Sequence, residues 1–191
     1  MSGVPDSPSD LRDGSDADVR ARIREGDHAA FEALFRTHYD GLVRFANRLV
    51  QASMESEELV QEVLLQVWVR RASLASNEDL KTYLYRATRN RALNHLRRRR
   101  LEFLWSRSRP AEEPAVEQTD ESDLTALDQA TRDAIAALPE RCREVFVLSR
   151  EHQLTYAEIA YTMGISVKTV ETQMGRALKA LRAALEPFRD R

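Results

Sequence analysis

Cysteine is nearly absent from this 191-residue sequence: Cys142 stands alone. That excludes an internal disulfide and any zinc cage built from several thiolates. Histidine is scarce as well. His28, His38, His95 and His152 are scattered, and no His-Glu-x-x-His or Cys/His spacing joins them into a metal or catalytic set. The six glycines form no loop of the kind that cradles a phosphate. No apolar run approaches the roughly eighteen residues that a membrane helix needs, so direct membrane contact is not expected. The opening stretch MSGVPDSPSD is polar and acidic, without the basic-then-apolar order of an export signal. These absences point to a cytoplasmic protein that is not an enzyme and needs no cofactor or metal. Cys142 reads as a small buried or semi-buried residue of an amphipathic helix rather than a nucleophile.

What is present is charge, sorted along the chain. The net charge is only −2, yet Lys81 to Arg109 carries ten basic residues against Glu102 alone, a local charge of +9. Pro110 to Asp128 then carries seven acids and no base. Segregation of this kind suggests one surface for a polyanion and a tether that avoids it, although a charge run also serves as a plain solvated face.

Periodicity is helical throughout, with no strand-like alternation and no internal repeat. Residues 1 to about 16 hold little to bury and are expected to be disordered. Ala29 to Gln51 spaces Phe31, Leu34, Phe35, Leu42, Phe45 and Leu49 as one face, with Gly41 as a soft point. Ser56 to Ala72 puts Leu59, Val60, Val63, Leu64, Val67 and Trp68 on one stripe, and Ser56-Glu57-Glu58 reads as its cap and first-turn acids. After a polar turn at Ser73 to Asn77, a third helix runs from Glu78 to about Arg100. The Pro- and acid-rich stretch that follows has a linker composition. Beyond it come a helix from Leu124 to Leu138, one from Pro139 to Arg150, and two shorter helices around Gly164. The fold class is all-α: two small helical domains joined by a flexible acidic linker.

Near the C-terminus, Thr155-Tyr-Ala-Glu158 fits a capping box. The helix it opens turns Ile159, Ala160 and Met163 inward. Gly164 supplies the left-handed backbone of a helix end, Ile165 plugs the corner, and Ser166 caps the next helix. That helix buries Val170, Met174, Ala177 or Leu178, and Leu181. The small Ala160 allows a close crossing, as a helix-turn-helix requires, with the second helix entering the major groove by its first turns. Ser166, Val167, Lys168, Thr169, Glu171, Thr172 and Arg176 are the candidate DNA contacts.

In the third helix, Leu80, Leu84, Ala87, Leu93 and Leu96 or Leu101 can face a core. Tyr83, Arg86, Asn90 and Asn94 then share another face, and such groups stack on and hydrogen-bond to unpaired bases. Tyr83 and Tyr85 suit core packing equally well. Arg89 adds to the basic setting, and the run from Arg97 and Arg98 to Arg100 suits phosphate neutralisation. On the second helix, Glu57, Glu58, Gln61 and Glu62 form an acidic ridge beside the apolar stripe. It reads either as a solvated helix start or as a surface for a protein partner.

These residues resemble the sigma-70-type factors of the extracytoplasmic-function group, over roughly Asp18 to Leu185. Glu57-Glu-Leu-Val-Gln-Glu-Val-Leu-Leu-Gln-Val-Trp68 is similar to the polymerase-binding helix of region 2. The resemblance implies that Glu57, Glu58, Leu59, Gln61, Glu62 and Leu65 meet the coiled-coil of the largest RNA polymerase subunit. The stretch from Leu80 to Asn94 resembles the strand-opening segment that reads the −10 element, with Asn90 where the family captures a flipped base. Tyr83, Arg86, Arg89, Asn94, Arg97 and Arg98 complete that set. Ala137 to Phe146 and the helix-turn-helix resemble region 4, which reads the −35 element and meets the polymerase flap.

The implied layout is region 2 over 17–106, linker over 107–124 and region 4 over 125–188. The implied role is promoter-directed transcription initiation with core RNA polymerase and promoter DNA as partners. The Val167 to Lys179 pattern resembles a subgroup often paired with membrane-bound anti-sigma factors. Glu171 and Gln173 stand where many members carry basic residues, so the promoter sequence does not transfer. Two rivals fit the residues alone: a self-sufficient regulator binding palindromic DNA, and an adaptor that touches polymerase but not DNA.

Overall fold

The computed structural model describes residues 16–74, 79–106 and 126–188. The expected linker at 107–124 and residues 1–15 of the expected disordered stretch lie outside them. The chain divides into two compact units, with the boundary between Val116 and Glu117, and the described residues contain helices and no strand.

The first unit holds α1 (Asp16–Arg24), α2 (His28–Val50), α3 (Ser53–Val69) and α4 (Leu80–Ser106). Between α1 and α2 the backbone turns at Gly26, with φ +89°, a conformation that costs a residue with a Cβ. Asp27 then caps α2: its carboxylate accepts from the Ala29 and Ala30 N–H groups at 2.9 and 3.2 Å. The Ala30 N–H and then the Arg22 guanidinium hold that carboxyl below its ordinary range. α2 runs unbroken through Gly41, expected as a soft point, and stops at Gln51, whose φ is +58°.

α2, α3 and α4 pack on one another. They bury Leu42, Phe45, Val60, Leu64, Leu80 and Leu84 almost completely, and burial of each large side chain contributes about 1.5–3 kcal/mol. The two readings of the tyrosines separate here. Tyr85 is 3% exposed with its ring 5.4 Å from Phe45, whereas Tyr83 is half-buried.

Two helix boundaries differ from expectation. α3 begins at Ser53, one turn early, with Ala52 at its cap and no side-chain cap bond. Ser56 is no cap: it is fully buried, and its hydroxyl donates to the Ala52 carbonyl at 2.7 Å. The added turn buries no large apolar side chain, Met54 being 78% exposed; Ser56 bonds back to Ala52, and Glu55 reaches His95 and Arg99 of α4. α4 begins at Leu80, capped by Asp79, whose Oδ1 accepts from the Thr82 N–H at 2.7 Å. It continues to Ser106, well past Arg100, because Arg, Leu and Glu are good helix formers and no Gly or Pro intervenes. Leu101, a candidate core residue, is consequently 50% exposed, while Ala92 takes the buried place next to half-buried Leu93.

The second unit holds α5 (Ala126–Ala136), α6 (Glu140–Arg150), α7 (Tyr156–Met163) and α8 (Val167–Leu185). Pro139 sits at the cap of α6 rather than inside it. The final helix is not short; it spans 19 residues and packs against α5, α6 and α7. Ala134, Leu138, Cys142, Ala177 and Leu181 form one core cluster, so Ala177 rather than Leu178 faces inward. Cys142 is buried and its thiol donates to Gln173 Oε1 at 3.0 Å, which occupies Gln173 from below.

Candidate nucleic-acid interface

The corner between α7 and α8 has the geometry its residues predict. Thr155 accepts from the Glu158 N–H at 3.3 Å, and the Glu158 carboxylate accepts from the Thr155 N–H at 2.6 Å. Gly164 adopts φ +65°, and the Ile165 N–H reaches back to the Ala160 carbonyl at 3.0 Å. Ser166 caps α8 by accepting from the Thr169 N–H at 3.1 Å. Ile159, Ala160, Met163, Val170 and Met174 are buried beneath.

On the outer face, Val167, Lys168, Glu171, Thr172 and Arg176 are exposed and Thr169 is half-buried. Lys168 Nζ lies 3.8 Å from Glu171, so the acid tempers its neighbour's charge. The Thr172 hydroxyl donates to the Lys168 carbonyl at 2.9 Å, leaving its oxygen free to accept and its methyl to pack.

In the first unit the sequence-derived sites fall on adjacent helices. Along α3 an exposed stripe runs through Met54, Glu58, Gln61, Leu65 and Val69 at helical three-to-four spacing. The apolar members are 78%, 58% and 60% exposed at Met54, Leu65 and Val69. Glu57 is exposed beside it. Leu59, grouped with these residues on the sequence, points the other way: it is 6% exposed and clusters with Val50 and Ala92. Met54 and Val69 were missed, and their spacing of four from Glu58 and Leu65 was the available signal. Trp68 is not on this surface; its ring lies 4.5 and 5.0 Å from His28 and Phe31, with the Arg71 guanidinium 4.6 Å from its centroid.

The basic helix α4 is divided between two faces. Arg86, Asn90, Asn94, Arg97 and Arg98 are exposed, with Tyr83 and Arg89 half-buried, and Arg97 donates to Asn94 Oδ1 at 3.0 Å. Arg91, His95 and Arg99 instead turn toward α3. Arg91 Nε donates to Glu62 at 2.7 Å, His95 Nε2 lies 2.7 Å from Glu55 Oε2, and Arg99 donates to that same oxygen at 3.2 Å. Between the pairs lies a cleft of about 170 Å³ lined by Glu58, Asn94 and Arg98 among others. The acids of α3 thus pair with arginines along one flank of α4. Glu62, expected to face a protein partner, already has an intramolecular cation. Burial pushes the Tyr85 phenol up to about 12, against a smaller opposing pull from Arg44, and its 3% exposure places the ring in the core.

The sequence matches the sigma-70 region 2 family over residues 34–102 and the sigma-70 region 4 family over residues 128–181. It is 32% identical over 165 residues to the RNA polymerase sigma-E factor of Streptomyces avermitilis, covering 86% of this chain and 89% of that one. The chain belongs to the sigma-70 family, in its extracytoplasmic-function group. A second relative of this sigma factor is SigW of Bacillus subtilis, 25% identical, with 86% of this chain and 93% of that one covered.

The fold agrees with solved sigma factors. The sigma factor RpoE in complex with the anti-sigma factor NepR from Bartonella quintana superposes with a TM-score of 0.65 at 24% identity, over 82% of this chain and 96% of that one. CnrH in complex with the cytosolic domain of CnrY gives 0.63 at 23% identity, over 90% and 97%. As a sigma factor the protein binds core RNA polymerase and directs it to promoters. Region 2 contains α3 and most of α4, and region 4 contains the helix-turn-helix.

Proposed function

We propose that this sigma factor divides its work among three helices. The α3 stripe of Glu58, Gln61 and Leu65, extended by Met54 and Val69 and flanked by Glu57 and Glu62, docks on the coiled-coil of the largest polymerase subunit. The outer face of α4 holds the −10 element, with Asn90 reading an unpaired base, Tyr83 and Asn94 beside it, and Arg86, Arg89, Arg97 and Arg98 on phosphates. The first turns of α8, from Ser166 to Arg176, read the −35 major groove, with Glu171 suited to accept from a cytosine amino group. Region 4 also meets the polymerase flap.

One observation carries this reading: an exposed, mixed apolar–acidic stripe and an exposed Arg/Asn face lie on two neighbouring helices of one unit. A protein partner and a nucleic acid can therefore be held side by side. Two modules that bind weakly alone gain affinity when one polymerase links them. Free protein is consequently expected to bind duplex promoter poorly.

The factor acts in the cytoplasm and has no catalytic activity of its own. Among the described residues, no His/Cys/Asp/Glu group fit to hold a metal is found, and no helix is long and apolar enough to cross a membrane. An anti-sigma factor, as in the solved relatives, is the expected inhibitor, and the exposed apolar positions of α3 suit it.

Run-off transcription with core polymerase and a promoter library tests the assignment. Promoter-specific transcripts that vanish with Leu65→Asp (loss of core co-elution) or Asn90→Ala (core still bound) are expected. A chain that fails to co-elute with core enzyme overturns it.

A further inference from the structure

The face of α4 assigned to the −10 element does not end at Arg98. The positions Tyr83, Asn90, Asn94 and Arg97 continue at the same three-to-four spacing into Leu101, Leu104 and Trp105. These three are 50%, 52% and 84% exposed. A large apolar side chain left so open on a helix end is informative, because such surface is normally covered in a working assembly.

Charge decides what kind of partner covers it. Arg97, Arg98 and Arg100 precede it within about two turns, and Glu102 is the sole acid from Arg97 to Trp105. Aromatic surface interleaved with arginine is the combination that receives unpaired bases: the ring stacks on a base face while the guanidinium groups neutralise the backbone. The other tryptophan, Trp68, is enclosed by His28 and Phe31 and has no such access.

We propose that Trp105, beside the exposed Leu101 and Leu104, is a second base-stacking position of this sigma factor, about four helical turns beyond Asn90. It would take an unpaired base of the separated promoter strands, without hydrogen-bond readout and so without strong sequence preference. This inference rests on the assignment of the α4 outer face to promoter DNA.

The test uses holoenzyme reconstituted from core polymerase and the full chain, binding a fork-junction promoter probe in which single bases are replaced one at a time by abasic sites. Trp105→Ala is expected to weaken binding to the intact probe by about five- to a hundredfold. One abasic position should weaken wild type comparably and leave Trp105→Ala unaffected, the non-additivity of a direct contact. Trp105→Phe should restore most of the binding. Co-elution with core should be unchanged in all variants.

Additive losses at every abasic position, or a Trp105→Ala variant that binds like wild type, overturn the proposal. So does a loss of core co-elution, which would assign the tip to a protein surface. Asn90→Ala run through the same scan separates the two readings. If Asn90 shows a coupled base and Trp105 does not, only this inference fails; if neither does, the −10 assignment of α4 fails with it.

Discussion

Replacing Arg91 and Arg97 with alanine, one at a time, tests the division of α4 into an inner and an outer face. The two arginines lie less than two turns apart and count equally in the local charge of the sequence. In the structure, Arg91 is held by Glu62, whereas Arg97 is exposed and bonded to the neutral Asn94. A cation that already neutralises a carboxylate releases no counterion when DNA binds. One that meets a phosphate contributes about 0.7–0.9 to the slope of log affinity against log salt.

For holoenzyme binding a fluorescent fork-junction probe between about 50 and 200 mM salt, Arg97→Ala should flatten the slope by that amount. The salt-induced loss then shrinks by about threefold over the range. Arg91→Ala should leave the slope unchanged and lower stability by at most about 1 kcal/mol, the scale of an exposed ion pair. Glu62→Gln has the opposite sign: it frees Arg91 and should steepen the slope by up to one contact. Equal flattening by the two alanine variants would refute the assignment of Arg91 to α3 and restore the view of α4 as a uniformly basic rod.

Other expectations follow from the same geometry. Leu65→Asp should abolish co-elution with core polymerase and leave the melting temperature nearly unchanged, since Leu65 is 58% exposed. Leu59→Ala, six residues away but 6% exposed, should destabilise region 2 by about 2–5 kcal/mol in urea titration. Tyr85 keeps its neutral phenol preferentially in the fold, with its pKa raised to about 12 from an unfolded value of about 10. Its contribution is complete below about pH 10 and is lost as pH rises toward 12. Stability of wild type measured across that window should fall more steeply than that of Tyr85→Phe. Gly164→Ala meets no neighbouring atom within 4 Å but must adopt φ +65°. Calorimetry should show region 4 destabilised by about 1 kcal/mol with region 2 unaffected.

The division of α4 also bears on how polymerase and promoter are engaged together. Glu62 lies next to the exposed α3 stripe and is at the same time the partner of Arg91 on α4. Glu55, in the first turn of α3, accepts from Arg99 and lies within hydrogen-bond distance of His95. The two helices are thus joined along their seam by charge as well as by the apolar contact of Leu59 with Ala92. The exposed stripe of α3 and the outer face of α4 thus lie on one packed unit.

Local chemistry was enough to specify much of this protein. The helical class follows from three-to-four spacing. The corner at Gly164 follows from the Thr155–Glu158 box, the glycine and the Ser166 cap, because each of these interactions closes within a few residues and owes little to the rest of the chain. Tertiary structure decided what depends on partners distant in sequence. It moved the start of α3 to Ser53, in a first turn where Glu55 meets His95 and Arg99 of α4. It sent Tyr85 inward and left Tyr83 half-open, and it buried Leu59 beneath the stripe to which it had been assigned. It also carried α4 past its arginines to expose Leu101, Leu104 and Trp105. Charge shows the limit most clearly. Composition counts Arg91, Arg97 and Arg99 alike, and only the packing of α3 against α4, which brings Glu62 and Glu55 alongside from 29 and 44 residues away, tells which of them already hold a carboxylate.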